Sequence, residues 1–103
     1  MNYIIPNERL KKLMTDYLNR FKNECRVSKL DGFISLSKKL RNNLIFYSVL
    51  VEYDSSDGRL LIDRDVLDNF MSWFPIYPDD AEDFIKDWFE NTFDVKVFYT
   101  RVS

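Results

Sequence analysis

The chain has 103 residues, a formal net charge of −2 and no histidine, and it is 46% hydrophobic and 17% aromatic. This apolar supply suits one domain over residues 1–103, with enough buried surface for a real core, and argues against disorder over most of the chain. Without histidine, Ser-His-Asp and Cys-His catalysis are excluded, and one cysteine cannot supply a structural zinc site.

No window of about 18 apolar residues predicts a transmembrane helix. The stretch "MNYIIPNERLKK" lacks a basic region followed by an apolar core, so no secretory signal is expected. Cys25 stands alone, which points to a reducing, cytoplasmic-type compartment. Phe, Tyr, Met, Ile, Asn and Lys together number 41 against 13 for Gly, Ala, Arg and Pro, a bias expected of an AT-rich genome. The net charge hides a division. Residues 1–50 carry ten Lys/Arg against four Asp/Glu, and residues 51–103 carry five against thirteen, so the halves stand at +6 and −8. Such asymmetry bears on partners, and internal complementarity is the plainer alternative.

In chain order, Leu10, Leu13, Met14, Tyr17, Leu18 and Phe21 recur at helical spacing, which predicts a helix from about Asn7 to Asn23 with Asn7 as N-cap. Over residues 25–43 the alternation is weak. The Asp31-Gly32 turn signal predicts a hairpin, or a strand beginning near Gly32. "NLIFYSVLVEYD" reads as a central strand with apolar side chains on both faces. "DSSDGR" then turns the chain through Gly58, and "RLLI" returns as a strand.

Asp63 is a natural cap for a helix from about Arg64 to Phe74. On it Val66, Leu67, Phe70, Met71 and Phe74 share an arc, with Trp73 at the edge. "PIYP" interrupts. A third helix is expected to start at an Asp79 cap, with Glu82 completing a capping-box pattern. "DVKVFYTRV" reads as a closing strand. The expected class is α+β: a small antiparallel sheet of three to four strands with three helices packed on it, in the order α-β-β-β-α-α-β.

The third helix, "DDAEDFIKDWFEN", concentrates acids. At 100° per residue, Ala81, Phe84, Ile85, Trp88 and Phe89 fall within about 140°. Asp79, Asp80, Asp83, Asp87 and Glu90 lie opposite, with Glu82 at the boundary. The acids of the first turn complement the helix dipole, whereas Asp87 and Glu90 sit at the wrong end for that purpose. Three readings stand open: a solvated face, a protein-binding face, or a mimic of nucleic acid.

Other site chemistry finds little support. Cys25 beside Arg26 is the one thiol that a neighbouring cation would activate, but no base accompanies it. "YDSSDGRLLIDRD" fails as an EF-hand, because aligning Gly58 to the sixth loop position puts Tyr53 first and Arg64 twelfth. Asp63, Asp65 and Asp68 could hold magnesium, yet acids at the head of a helix are ordinarily caps and dipole partners. Gly32 and Gly58 belong to no phosphate-binding pattern. No catalytic, metal or cofactor site is expected. The basic segment from Arg20 to Arg41 contains Arg20, Lys22, Arg26, Lys29, Lys38, Lys39 and Arg41, a candidate surface for phosphates. It lacks an RNP-type motif.

In layout, "YIIPNERLKKLMTDYL", "LLIDRDVLDNFMSWF" and a closing "FIKDWFENTFDVKV" resemble small uncharacterised accessory proteins of AT-rich tailed-phage genomes. The resemblance spans most of the chain and implies a viral accessory protein of the host cytoplasm or the virion, with no catalytic residues to carry over. The expected function is a non-enzymatic module that meets another protein by charge-complementary contact. The expected contact residues are Lys38, Lys39 and Arg41 on one side, Asp83, Asp87 and Glu90 on the other, and Tyr77 as an aromatic anchor. Nucleic-acid binding through residues 20–41 is the alternative. A homo-oligomer is allowed, and no membrane partner is expected.

Overall fold

The computed structural model describes residues 8–39 and 47–103. Asn7, Arg41 and the beginning of the expected strand at 43–54 lie outside the described residues.

Helix α1 (Glu8–Glu24) follows the predicted arc, burying Met14 and Leu18. Two strands follow, β1 (Arg26–Leu30) and β2 (Phe33–Lys39). They form an antiparallel hairpin that closes on the Leu30↔Phe33 pair. Asp31 and Gly32 take φ of 54° and 83°. Positive φ at both central residues is what a two-residue hairpin loop matched to strand twist requires.

Strand β3 (Tyr47–Asp54) pairs antiparallel with β2 and with β4 (Arg59–Ile62). Leu36 pairs with Val51 but Ser37 pairs with Val49, so Leu50 is an extra residue in β3. This bulge accounts for the two-sided apolar pattern of the strand. It turns Leu50 toward the core beside Val51 and leaves Val49 exposed. The Leu50 carbonyl accepts from the Asp63 N–H at 2.8 Å.

Asp63 caps α2 (Arg64–Trp73) as expected, its carboxylate accepting from the Asp65 N–H at 2.8 Å. Helix α3 (Pro78–Phe93) departs from expectation at its start. Its N-cap is Tyr77, with no side-chain cap, and Pro78 occupies the first turn. Proline suits that place, because its missing N–H would have no intrahelical partner and its φ is already helical. Asp79 therefore lies inside the first turn, and Glu82 is no capping-box partner. Its Oε1 accepts from the Thr100 hydroxyl at 3.1 Å.

The closing strand β5 is shorter than expected, Tyr99–Val102. Asp94 takes a left-handed conformation that ends α3, so the first half of "DVKVFYTRV" is a connection. β5 pairs parallel with β4. A parallel neighbour requires a crossover, which α2 and α3 supply. The sheet thus has five strands in sequential order, with a single parallel pair, and the element order is α-β-β-β-β-α-α-β. The expected α+β class holds. The expected three to four antiparallel strands become five because the hairpin at Asp31-Gly32 adds one and the crossover reverses another.

One core joins the helices to one sheet face. Phe70, Phe89, Met14, Leu36, Leu60 and Ile62 are fully buried there. Burying each large side chain favours folding by about 1.5–3 kcal/mol.

Candidate functional site

α1 and α3 are tied by the Trp88 indole N–H donating to the Asn19 side-chain oxygen at 2.8 Å, beside a cleft of about 570 Å³ that Lys11, Thr15, Phe84 and Asp87 line. α1 and α2 leave a groove of about 590 Å³. Its apolar wall is built from Tyr17 and Phe21 of α1, Val66 of α2, Phe74 and, from the sheet, Leu50. Leu13 and Trp73 stand at its rim, 51% and 72% exposed.

The helical phase explains that exposure. Leu13 and Leu18 are opposite edges of the α1 arc, about 140° apart. The Leu18 edge is fully buried in the core; the Leu13 edge faces the groove. Trp73 lies just past the Val66 edge of the α2 arc, so it too faces outward. The tyrosine stack inside is ordered: Tyr17 meets Phe70 and Phe74 edge-on, each with centroids 5.6 Å apart. Burial, and then the Glu24 charge, push the Tyr17 phenol above its ordinary value.

The charged rim is partly self-paired. Lys38 Nζ lies 3.3 Å from Glu24 Oε1 and 5.6 Å from the Phe21 ring, and Lys12 Nζ lies 3.1 Å from Asp16 Oδ2. Cys25 is not activated here. Burial raises its pKa most, Lys38 opposes that, and Glu24 reinforces it. Arg26, the expected activator, turns instead to the Tyr47 ring, 5.0 Å from its centroid.

The other expected contact residues scatter. Lys39 lies on the opposite sheet face from Lys38, 6.0 Å from the Tyr47 ring. Successive strand residues point to opposite faces, so a basic run splits as soon as it enters β2. Lys29 sits on the helix side over Phe93, at 5.6 Å. The cations of residues 20–39 therefore do not make one patch.

Asp83 and Asp87 are exposed on α3 as expected. Glu90 has a different position. Its Oε2 accepts from the Val97 N–H at 2.8 Å, which holds the chain as it leaves the helix for β5. Tyr77 is half-exposed at the N-cap of α3. Among the described residues no group of three or more Asp, Glu or Cys is placed to hold a metal ion, so Asp63, Asp65 and Asp68 form no such cluster. No described helix is long and apolar enough to cross a membrane.

These features define a small α+β domain with an open mixed sheet, its described helices on one side, and an apolar groove between the first two of them. The chain matches no family model, no curated protein and no solved structure.

Proposed function

We propose that the protein is a non-enzymatic interaction module that receives an apolar segment of another protein in the α1–α2 groove. The observation that carries this reading is the pair Trp73 and Leu13, left exposed at the rim of a groove whose wall is already aromatic. Tryptophan in such a place is the side chain that most often dominates binding energy, because it brings a large apolar area with few rotamers to lose. Charges at the rim, Lys38, Arg20, Asp16 and Asp65, discriminate among partners and set the rate of encounter. The resemblance of its sequence layout to tailed-phage accessory proteins is what supports placing the module among viral accessory or virion-associated proteins.

The test is affinity capture from cells of the source, run in parallel with the parent chain, Trp73→Ala and Leu13→Ser. Both positions are exposed, so folding should survive. The expected result is a protein retained by the parent and weakened at least about tenfold by each variant. A partner held equally by all three chains sinks the groove reading.

A further inference from the structure

The strand pairings turn one sheet face toward the helices and leave the other without a helix among the described residues. Five strands about 4.8 Å apart make this open face about 19 Å across. Three rings lie on it. Phe33 and Tyr99 occupy one row, three strands apart, through the pairs Phe33↔Asp54, Asp54↔Arg59 and Arg59↔Tyr99. Tyr47 lies on β3 toward the other end, paired with Lys39. All three are exposed.

Cations stand among the rings. The Arg26 guanidinium and the Lys39 ammonium flank Tyr47 at 5.0 and 6.0 Å from its centroid. Arg101 points out from β5, in the row of Glu52 and Leu61. None of Arg26, Lys39 and Arg101 makes an ion pair among the described residues. Two strand carboxylates share the face, and at its edge Asp57 of the β3–β4 turn accepts from the Tyr99 hydroxyl at 3.0 Å. Asp54 is engaged by the Ser56 N–H and hydroxyl and lies in register with Arg59, which leaves Glu52 against three cations that make no ion pair among the described residues.

This pattern selects among partners. An apolar surface would strand the cations without counter-charge. A second copy would bring the same surplus of cations over free carboxylates and so leave part of the charge unanswered. Single-stranded nucleic acid meets both features: its phosphates take the cations, and its unpaired bases have flat surfaces for the rings. We propose that the open sheet face binds single-stranded nucleic acid, with Arg26, Lys39 and Arg101 on phosphates and Phe33, Tyr47 and Tyr99 as stacking platforms. This surface is separate from the groove and replaces the contiguous basic segment as the site of such binding.

The experiment is fluorescence anisotropy of the full chain with labelled oligodeoxynucleotide and oligoribonucleotide strands of about 15 nucleotides. Binding is expected with Kd of about 10⁻⁵ M at low salt, weakening as salt rises. Lys39→Glu and Arg101→Glu should each weaken it about tenfold and reduce the salt slope by about 0.7. Tyr47→Leu, which keeps a β-compatible side chain, should weaken binding about tenfold with the salt slope unchanged. If a charge reversal lowers the melting temperature, Lys39→Gln and Arg101→Gln give the same comparison. Lys12→Glu makes an equal charge change on α1 and should leave affinity within about twofold, as should Trp73→Ala in the groove. Comparison of the two sugars identifies the source of the strand.

Absence of binding at low salt overturns the proposal. So does an equal loss in Lys12→Glu, which would mean diffuse attraction alone, or equal affinity for a duplex, whose bases are not free to stack. A concentration-dependent dimer in sedimentation that Lys39→Glu dissociates would assign the face to self-association instead. Because Trp73→Ala leaves this surface untouched, loss of one reading does not carry the other with it.

Discussion

Gly58 shows how one position can be doubly constrained. Its φ is +71°, and a Cβ built there would run into the Phe98 ring. Its carbonyl also accepts from the Phe98 N–H at 2.8 Å, so the β3–β4 turn and the entry to β5 meet at this residue. Gly58→Ala should cost about 1–2 kcal/mol, read as a lower urea midpoint with an unchanged slope. The crowding reaches the Phe98 Cγ and Cβ, at 2.9 and 3.1 Å, as well as the ring edge, so a steric cost adds to that of the backbone. Cys25 yields a second prediction at this scale. Burial and Glu24 hold its thiol protonated against the pull of Lys38, and the thiolate is the reactive form. Modification by a disulfide reagent near neutrality should be at least about tenfold slower in the folded chain than in urea. Equal rates would refute the protected thiol.

Among the elements, the ends of α2 and α3 are secured differently. Asp63 caps α2 through its own carboxylate, so Asp63→Ala should cost about 1 kcal/mol. α3 starts on Pro78 with no side-chain cap and is secured at its other end, where Glu90 holds the Val97 N–H. Glu90→Ala should cost about 1.5 kcal/mol, and Glu90→Gln, which retains a side-chain acceptor, should recover much of that. Urea denaturation of the two variants separates this role from a purely external one. If Glu90→Ala leaves stability unchanged and only partner binding falls, the carboxylate belongs to a contact surface.

At the scale of the whole molecule, pH reports on burial. Tyr17 and Cys25 both have raised pKa values, from ordinary values of 10.0 and 9.0, with burial as the leading cause. The unfolded chain releases these protons first as pH rises. Their stabilising contribution is therefore complete below the ordinary thiol value and declines as pH climbs toward the raised ones. The melting temperature should fall as pH rises past the ordinary thiol value, less steeply in Cys25→Ser. A flat profile would contradict the burial of both groups. On the acid side Asp54 behaves oppositely: the Ser56 hydrogen bonds lower its pKa, so its contribution is lost as pH drops below the ordinary carboxylate range.

The sequence by itself determined the elements whose signals are local. Helical periodicity located α1 and α2. The Asp63 side chain marked a cap, Asp31-Gly32 marked a turn, and the apolar arc of α3 marked the side it buries, because each depends on side chains within a few residues of one another. The tertiary structure decided what depends on distant neighbours. Parallel pairing of β5 arises from the path through two helices, and the β3 bulge arises from pairing with β2 and from the bond between Leu50 and Asp63. Exposure of Leu13 and Trp73 depends on which flank of each helix finds a partner. Lys38 and Lys39 are adjacent in the chain, yet the alternation of a strand sends one to the helices and the other to the open face. Periodicity identifies the apolar side of an element, but only packing decides which part of that side stays accessible to another molecule.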